Sequence, residues 1–114
     1  MDDFLCVLKA LADETRFTIV KLLLVHDFCV RALAKRLSIS EAAVSQHLKI
    51  LRKAGVVRGE KRGYFTHYKV ENEALENTIE VLKEMIETNN DFKSKCEKQL
   101  SQKAQFNTEK ATHE

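Results

Sequence analysis

Residues 32–70 read ALAKRLSISEAAVSQHLKILRKAGVVRGEKRGYFTHYKV, and this stretch decides the fold. Its pattern predicts a helix, a tight turn, a second helix and a glycine-containing β-hairpin. From Arg31 to Lys69 there are ten Lys and Arg residues against two acids, Glu41 and Glu60, which gives a formal charge of +8. Because the whole chain carries +2, the other residues sum to −6. This segregation of positive charge predicts a surface for a polyanion, and the helix-turn-helix pattern indicates DNA.

The second helix of this stretch has clear start and stop signals. Ser40 is a suitable N-cap because its hydroxyl can accept from the free amides of the first turn, and Glu41 then lies at the positive end of the helix dipole. Gly55 is expected to end the helix, since glycine readily adopts a positive φ just past the last turn. Helical spacing predicts a buried stripe formed by Val44, Leu48 and Leu51.

The outward face of the same helix carries small and hydrogen-bonding side chains. We expect six residues on this face or at its edge: Ala42, Ala43, Ser45, Gln46, His47 and Lys49. Small residues near the helix start let the backbone approach DNA closely, Gln46 can pair with adenine through two hydrogen bonds, and Ser45 can contact a base or a phosphate. We therefore interpret this segment as a recognition helix, with Lys49 and Arg52 on the DNA backbone.

Two β-prone runs, at positions 56–58 and 64–70, follow the recognition helix. Residues 59–63 between them contain two glycines and predict a turn. We expect Lys61 and Arg62 at the tip of this hairpin, where cations can contact phosphates or the minor groove. The hairpin would then act as a wing beside the recognition helix.

Helical patterns also predict the segments that precede this stretch. We expect a first helix over residues 3–12 and a second helix that Asp13 caps and that ends near Val25. Residues 28–37 are predicted to form the first helix of the helix-turn-helix. Arg16 has two alternative roles, because its guanidinium can contact a DNA phosphate or pair with a nearby carboxylate.

A long helix is predicted after the hairpin, from Asn72 to about Leu100, with apolar residues at near-heptad spacing. At 1.5 Å per residue it measures about 40 Å, which is longer than a small domain needs to cover its own core. The surplus favours a partner helix from a second copy over a helix folded back on its own domain. Residues 101–114 are polar and lack periodicity, so we expect a disordered tail after a domain that spans residues 1–100.

Residues 11–16, 39–57 and 63–68 carry three motifs, LADETR, ISEAAVSQHLKILRKAGVV and GYFTHY, whose order and spacing resemble the ArsR/SmtB family of repressors. The resemblance extends over roughly residues 5–82. It implies a mainly α fold with a small β-hairpin wing, that is, a winged helix-turn-helix that dimerises through its first and last helices. It also implies a homodimeric repressor that binds double-stranded DNA at an inverted-repeat operator and is often released by a metal ion or metalloid.

Composition places the chain among globular domains, with 114 residues of which 44% are apolar and 32% charged. The acidic start and the lack of an apolar run near ~18 residues indicate neither a signal peptide nor a membrane span, and we expect a cytoplasmic protein.

The sequence has no metalloprotease or phosphate-loop motif. Ser45 and His47 are two positions apart and do not face each other on a helix, so we predict no enzyme activity.

Three cysteines, at positions 6, 29 and 96, form no close pair, and we expect free thiols. The resemblance implies that metalloid-sensing relatives have Cys-Val-Cys at the start of the helix before the recognition helix, where this chain has Cys29-Val30-Arg31. Arg31 cannot ligate a metal, although it would lower the pKa of a neighbouring thiol. Zinc-sensing members use His and carboxylate ligands on the last helix, and this helix has no His.

The role of the thiols stays open among three alternatives. Cys29 together with Cys6 of a second subunit would suit a soft ion such as arsenite, Cd(II) or Hg(II), with Cys96 close to its symmetry mate. A redox or persulfide switch at Cys29 is the second alternative. The third is that the cysteines are buried structural residues. In that case no sensing depends on cysteine, and the protein would respond to another ligand or only to its own abundance. A hypothesis of another class is an effector-independent interaction module that binds DNA and recruits another protein through its long helix and tail.

Overall fold

The computed structural model describes the backbone of residues 2–112 and the side chains of residues 3–94. Within this range the chain forms five helices and three strands in the order α1 (Asp2–Leu11), α2 (Glu14–Val25), β1 (Phe28–Cys29), α3 (Val30–Leu37), α4 (Glu41–Lys53), β2 (Val57–Arg62), β3 (Phe65–Val70) and α5 (Asn72–Thr112). The strands make one antiparallel sheet in the order β1-β3-β2. This architecture confirms the predicted winged helix-turn-helix fold, mainly α with a small β-hairpin.

The helix boundaries follow the capping signals of the sequence. Asp13 caps α2, where one carboxylate oxygen accepts from the backbone N–H of Arg16 at 3.0 Å. Ser40 caps α4 in the same way, with its hydroxyl accepting from the backbone N–H of Ala43 at 3.0 Å. Gly55 follows α4 with φ of +80°, which is the conformation that the stop signal predicts. The first helix begins and ends one residue earlier than we predicted, at Asp2 and Leu11.

The core forms around the inner face of α4. Val44, Leu48 and Leu51 are buried there, as the helical spacing predicts. They belong to one cluster with buried side chains of α1, α2, α3 and β2: Val7, Ala10, Ile19, Val20, Leu23, Leu33, Ala34, Val56 and Val57. Because four elements close on this face, the opposite face of α4 is left to solvent.

The hairpin differs from its prediction. Arg62 pairs with Phe65, so Gly63 and Tyr64 are the only residues of the connection, and Gly63 has φ of +66°. The prediction that Lys61 and Arg62 lie at the tip is therefore wrong, because both belong to β2, and the fully exposed Tyr64 occupies the tip. Gly59 is a strand residue and not part of the turn. The position favours glycine, because a Cβ there would lie 2.9 Å from the Cγ2 atom of Thr66.

The start of the helix-turn-helix also differs from its prediction. We expected a helix from Phe28, but Phe28 and Cys29 form β1 and pair with Tyr68 and His67 of β3. The helix α3 begins only at Val30, with Cys29 as its N-cap. The physical reason is long-range, because this short strand supplies backbone partners along an edge of β3 that would otherwise be unpaired.

The last helix runs to Thr112 and not to about Leu100. Residues 101–112 of the expected disordered tail are helical; they contain no Gly or Pro and are rich in Lys, Gln, Ala and Glu, which favour helix. His113 and Glu114 lie outside the described residues.

The chain divides into two compact units, Met1–Ile79 and Glu80–Glu114. The boundary that we predicted at residue 100 lies within the second unit and stays a prediction.

Among the described residues, no helix combines the length and the apolar character that crossing a bilayer requires.

Two neighbouring residues of α4 provide a test of this packing. Leu51 is fully buried and Ile50 is 43% exposed. We expect Leu51→Ala to lower the free energy of unfolding by about 2 to 5 kcal/mol, because it removes buried methyl groups and leaves a cavity. The matched variant Ile50→Ala should cost less than about 1 kcal/mol. Urea denaturation at one fixed protein concentration measures both, and equal losses would contradict the burial that we describe.

Candidate nucleic-acid interface

The outward face of α4 holds the residues that the sequence assigned to base contacts. Ala42, Ser45, Gln46 and Lys49 are exposed, and their spacing places them on one face of the helix. Ala43 is half-buried beside them. Arg52 is exposed in the last turn. Because the other face of α4 packs in the core, this face presents two small residues, one hydroxyl, one amide and two cations to solvent.

The two faces of the wing differ in charge. Arg58, Glu60 and Arg62 alternate along β2 and share a face with Lys69, which pairs with Arg58 across the sheet. Lys61 points to the other face, opposite Thr66, and is exposed. Among the described residues, no ion pair involves Lys61. The wing therefore presents one unpaired cation on one face and a cluster of paired charges on the other.

Arg62 lies at the centre of the paired cluster. Its Nη2 atom donates to the Oδ2 atom of Asp27 at 2.8 Å and to the Oε1 atom of Glu60 at 2.9 Å. The Nζ atom of Lys69 is 3.7 Å from the same Asp27 oxygen and 3.9 Å from Glu60. Arg58 pairs with Glu71 and lies 3.9 Å from Glu60. Three cations and three carboxylates thus neutralise one another, which reduces the contribution of Arg62 to any phosphate contact.

Asp27 gives no signal in the sequence for this role, because it lies 35 positions before Arg62 and meets it only in the folded chain. The hydrogen bond from Arg62, followed by the charges of Lys69 and Arg62, lowers the pKa of Asp27. The same donor lowers the pKa of Glu60, and both carboxylates raise the pKa of Arg62. All three shifts favour the charged forms, so the cluster is stable as an ionic network near neutral pH.

Within the described residues the guanidinium of Arg16 forms no ion pair with a carboxylate, and its predicted contact with a DNA phosphate stays a prediction. Its Nε atom donates to the carbonyl oxygen of Ala10 at 2.8 Å, and its Nη2 atom donates to the carbonyl oxygen of Lys9 at 3.3 Å. Its Nη1 atom lies 3.5 Å from the Nδ1 atom of His47. The imidazole of His47 is 24% exposed, and its Nδ1 atom is 4.0 Å from the Oδ2 atom of Asp13. Three helices therefore meet at this cluster.

The thiols do not form a metal site within the described residues. Cys6 is exposed on α1, and Cys29 is half-buried at the start of α3, where it lines an open cleft of about 340 Å³ with Arg31, Glu41 and Tyr64. Among the described side chains, no three His, Cys, Asp or Glu residues are placed to share an ion. The side chain of Cys96 lies outside this range. The described residues of one chain thus provide no set of three ligands for arsenite or Cd(II), and a site shared between subunits stays a prediction.

The pKa of Asp27 provides a test of the wing cluster. Because this pKa is lowered in the folded chain, the stabilisation by Asp27 is present above its ordinary value of 3.8 and is lost as the pH falls through the folded-state pKa. We expect NMR titration of the Asp27 carboxyl to show a midpoint below 3.8 in the wild type and a higher midpoint in Arg62→Ala. Lys61→Ala is the control and should leave the midpoint unchanged. A shift of equal size in both variants would show that Arg62 is not the specific partner.

Comparison with known proteins agrees with this geometry. Residues 13–58 match the family described as bacterial regulatory protein, arsR family. The transcriptional activator HlyU of Vibrio cholerae is 37% identical over 76 residues, which cover 67% of this chain and 70% of that protein. The transcriptional repressor SdpR of Bacillus subtilis is 34% identical over 73 residues, which cover 64% of this chain and 81% of that protein.

A solved structure has the same fold. It is the homodimeric winged helix-turn-helix DNA-binding domain of a possible ArsR-family transcriptional regulator from Mycobacterium bovis. The TM-score is 0.63 at 25% identity, and the match covers 76% of this chain and 82% of that chain. These comparisons confirm the resemblance that the motifs indicated. The chain belongs to the arsR family of bacterial regulatory proteins and is a DNA-binding transcriptional regulator.

Proposed function

We propose that the protein is a homodimeric repressor that binds an inverted-repeat operator, with one α4 helix in the major groove of each half-site. The observation that carries this proposal is the outward face of α4, where exposed Ser45, Gln46 and Lys49 stand on a helix whose opposite face is buried. Of the two relatives described above, one is named a repressor and one an activator. We favour repression because a dimer that covers its operator excludes other proteins from that DNA.

The contacts divide into base readout and backbone positioning. Ser45 and Gln46 read bases, and the small side chains of Ala42 and Ala43 allow the helix to approach them. Lys49, Arg52 and Lys61 hold the phosphates. We do not assign Arg62 to the backbone, because its guanidinium is engaged by Asp27 and Glu60.

Dimerisation follows from apolar surface that the single chain leaves exposed. On α5, exposed apolar side chains recur along the helix: Ile79, Leu82, Met85, Ile86 and Phe92. Burying apolar surface contributes roughly 25 cal/mol per Å². A second copy of the helix offers a matching surface, as expected for a two-fold symmetric pair. An inverted-repeat operator requires the two recognition helices of a dimer to lie about 34 Å apart, which is one turn of B-DNA.

Gln46 and Lys61 provide matched tests of these two kinds of contact. The experiment first selects a preferred duplex from a random pool and then measures affinity for this operator and for random DNA over a range of salt concentrations. We expect Gln46→Ala to weaken operator binding by about 1 to 3 kcal/mol, with little change on random DNA. Lys61→Ala should weaken both DNAs alike and should make the salt dependence shallower by about one unit of slope per chain. Equal losses on both DNAs for Gln46→Ala would contradict its assignment to a base.

The thiols require a separate test, because the proposal above includes no effector. Cys29 lines an open cleft and is therefore accessible to small reagents. We expect Cys29→Ser to bind the operator with wild-type affinity and, if the protein is a sensor, to lose release by arsenite or Cd(II). Thiol titration with each ion, run beside operator-release assays, measures this. Absence of both uptake and release in the wild type would favour the effector-independent interaction module.

A further inference from the structure

Arg16 connects three helices through the three nitrogens of its guanidinium. The residue lies in the first turn of α2, and its Nε and Nη2 atoms donate to the carbonyl oxygens of Ala10 and Lys9. These carbonyls belong to the last turn of α1, where backbone oxygens run out of helical partners; the Lys9 oxygen also accepts from the backbone N–H of Ala12 at 3.3 Å. Arg16 thus caps α1 from α2 and fixes the corner between the two helices.

The third nitrogen of Arg16 reaches the recognition helix. Its Nη1 atom lies 3.5 Å from the Nδ1 atom of His47. A guanidinium has donors only, so Nδ1 is the acceptor when these two atoms form a hydrogen bond. Asp13, the N-cap of α2, has its Oδ2 atom 4.0 Å from the same nitrogen. The backbone N–H of Arg16 donates to this carboxylate oxygen as well, which joins the three side chains in one cluster.

The position of His47 on α4 allows this cluster to affect the orientation of the recognition helix. His47 follows Gln46 directly and is half-buried, so it lies at the border between the buried and the outward face. The apolar stripe of α4 is non-directional and tolerates small rotations of the helix about its axis. A hydrogen-bonded side chain at the border restricts this rotation, and the rotation decides where Ser45 and Gln46 point.

We propose that Arg16 and His47 are positioning residues that set the orientation of the recognition helix, and that Arg16 is not a phosphate contact. This inference rests on the proposed use of α4 for base readout. Three of the five N–H donors of Arg16 face acceptors within the protein, which fixes the position and orientation of the guanidinium.

The salt dependence of DNA binding distinguishes the two roles of Arg16. A cation that neutralises a phosphate releases counterions, so its removal makes the salt dependence shallower and weakens all DNA alike. A positioning residue changes the fit to the operator and leaves the number of phosphate contacts unchanged. We expect Arg16→Lys and Arg16→Ala to lower operator affinity by about tenfold while affinity for random DNA and the salt slope stay at wild-type values. Lys61→Ala is the control for a true phosphate contact.

His47 provides an independent pair of variants. His47→Asn keeps an acceptor near the position of Nδ1, whereas His47→Leu fills similar space without one. We expect His47→Leu to lose about tenfold in the ratio of operator to random affinity, and His47→Asn to retain most of this ratio. Thermal unfolding of each variant is recorded beside the binding assays, and all assays run well below the lowest midpoint. Because the His47 pair does not remove the α1 cap, it tests the proposal even where an Arg16 variant fails to fold.

Two results would overturn the inference while leaving the regulator intact. One is a shallower salt slope in Arg16→Ala with equal losses on both DNAs, which would restore Arg16 to the phosphate contacts. The other is an unchanged affinity ratio in His47→Leu. A wild-type protein that fails to prefer any selected duplex over random DNA would instead overturn the proposed function, and this inference with it.

Discussion

The burial of one face of α4 is the constraint on which the rest of the structure depends. The inner face of α4 packs against side chains of α1, α2, α3 and β2 through Val44, Leu48 and Leu51. The opposite face of the helix stays in solvent and is free to contact DNA. The residues that can read bases lie on that face because of helical periodicity. Recognition chemistry and hydrophobic packing therefore use the same thirteen-residue helix without competing for the same positions.

The cations of the positive segment are of two kinds, those paired with carboxylates of the wing cluster and those without such a partner. The formal charge of +8 between positions 31 and 69 suggests a uniformly basic surface, but the wing neutralises much of its own share through Asp27, Glu60 and Glu71. Such pairs add little stability when they are exposed, and they fix side chains that would otherwise be mobile. Other cations form no ion pair within the described chain and are left for phosphates, among them Lys49, Arg52 and Lys61.

Local signals in the sequence predicted most of the fold. The caps at Asp13 and Ser40, the stop at Gly55 and the stripe of α4 depend on neighbouring residues, so the sequence was sufficient for them. The errors arose where distant residues decide the outcome. The strand Phe28–Cys29 exists because β3 lies beside it, Gly59 belongs to a strand because it pairs with Tyr68 of β3, and Arg62 is occupied by an acid from another element. The contacts of Arg16 with Ala10 and His47 were also beyond local signals, because these partners lie 6 and 31 positions away in the sequence.

The account as a whole requires two copies of the chain on one duplex. Sedimentation of the purified protein, alone and with its selected operator, measures this directly when Ile86→Glu is run beside the exposed control Glu84→Gln. The account predicts a dimer that binds one duplex per two chains, retained in Glu84→Gln, and a monomer with much weaker operator binding in Ile86→Glu. A wild-type chain that stays monomeric at micromolar concentration and binds the operator as one chain per duplex would contradict it.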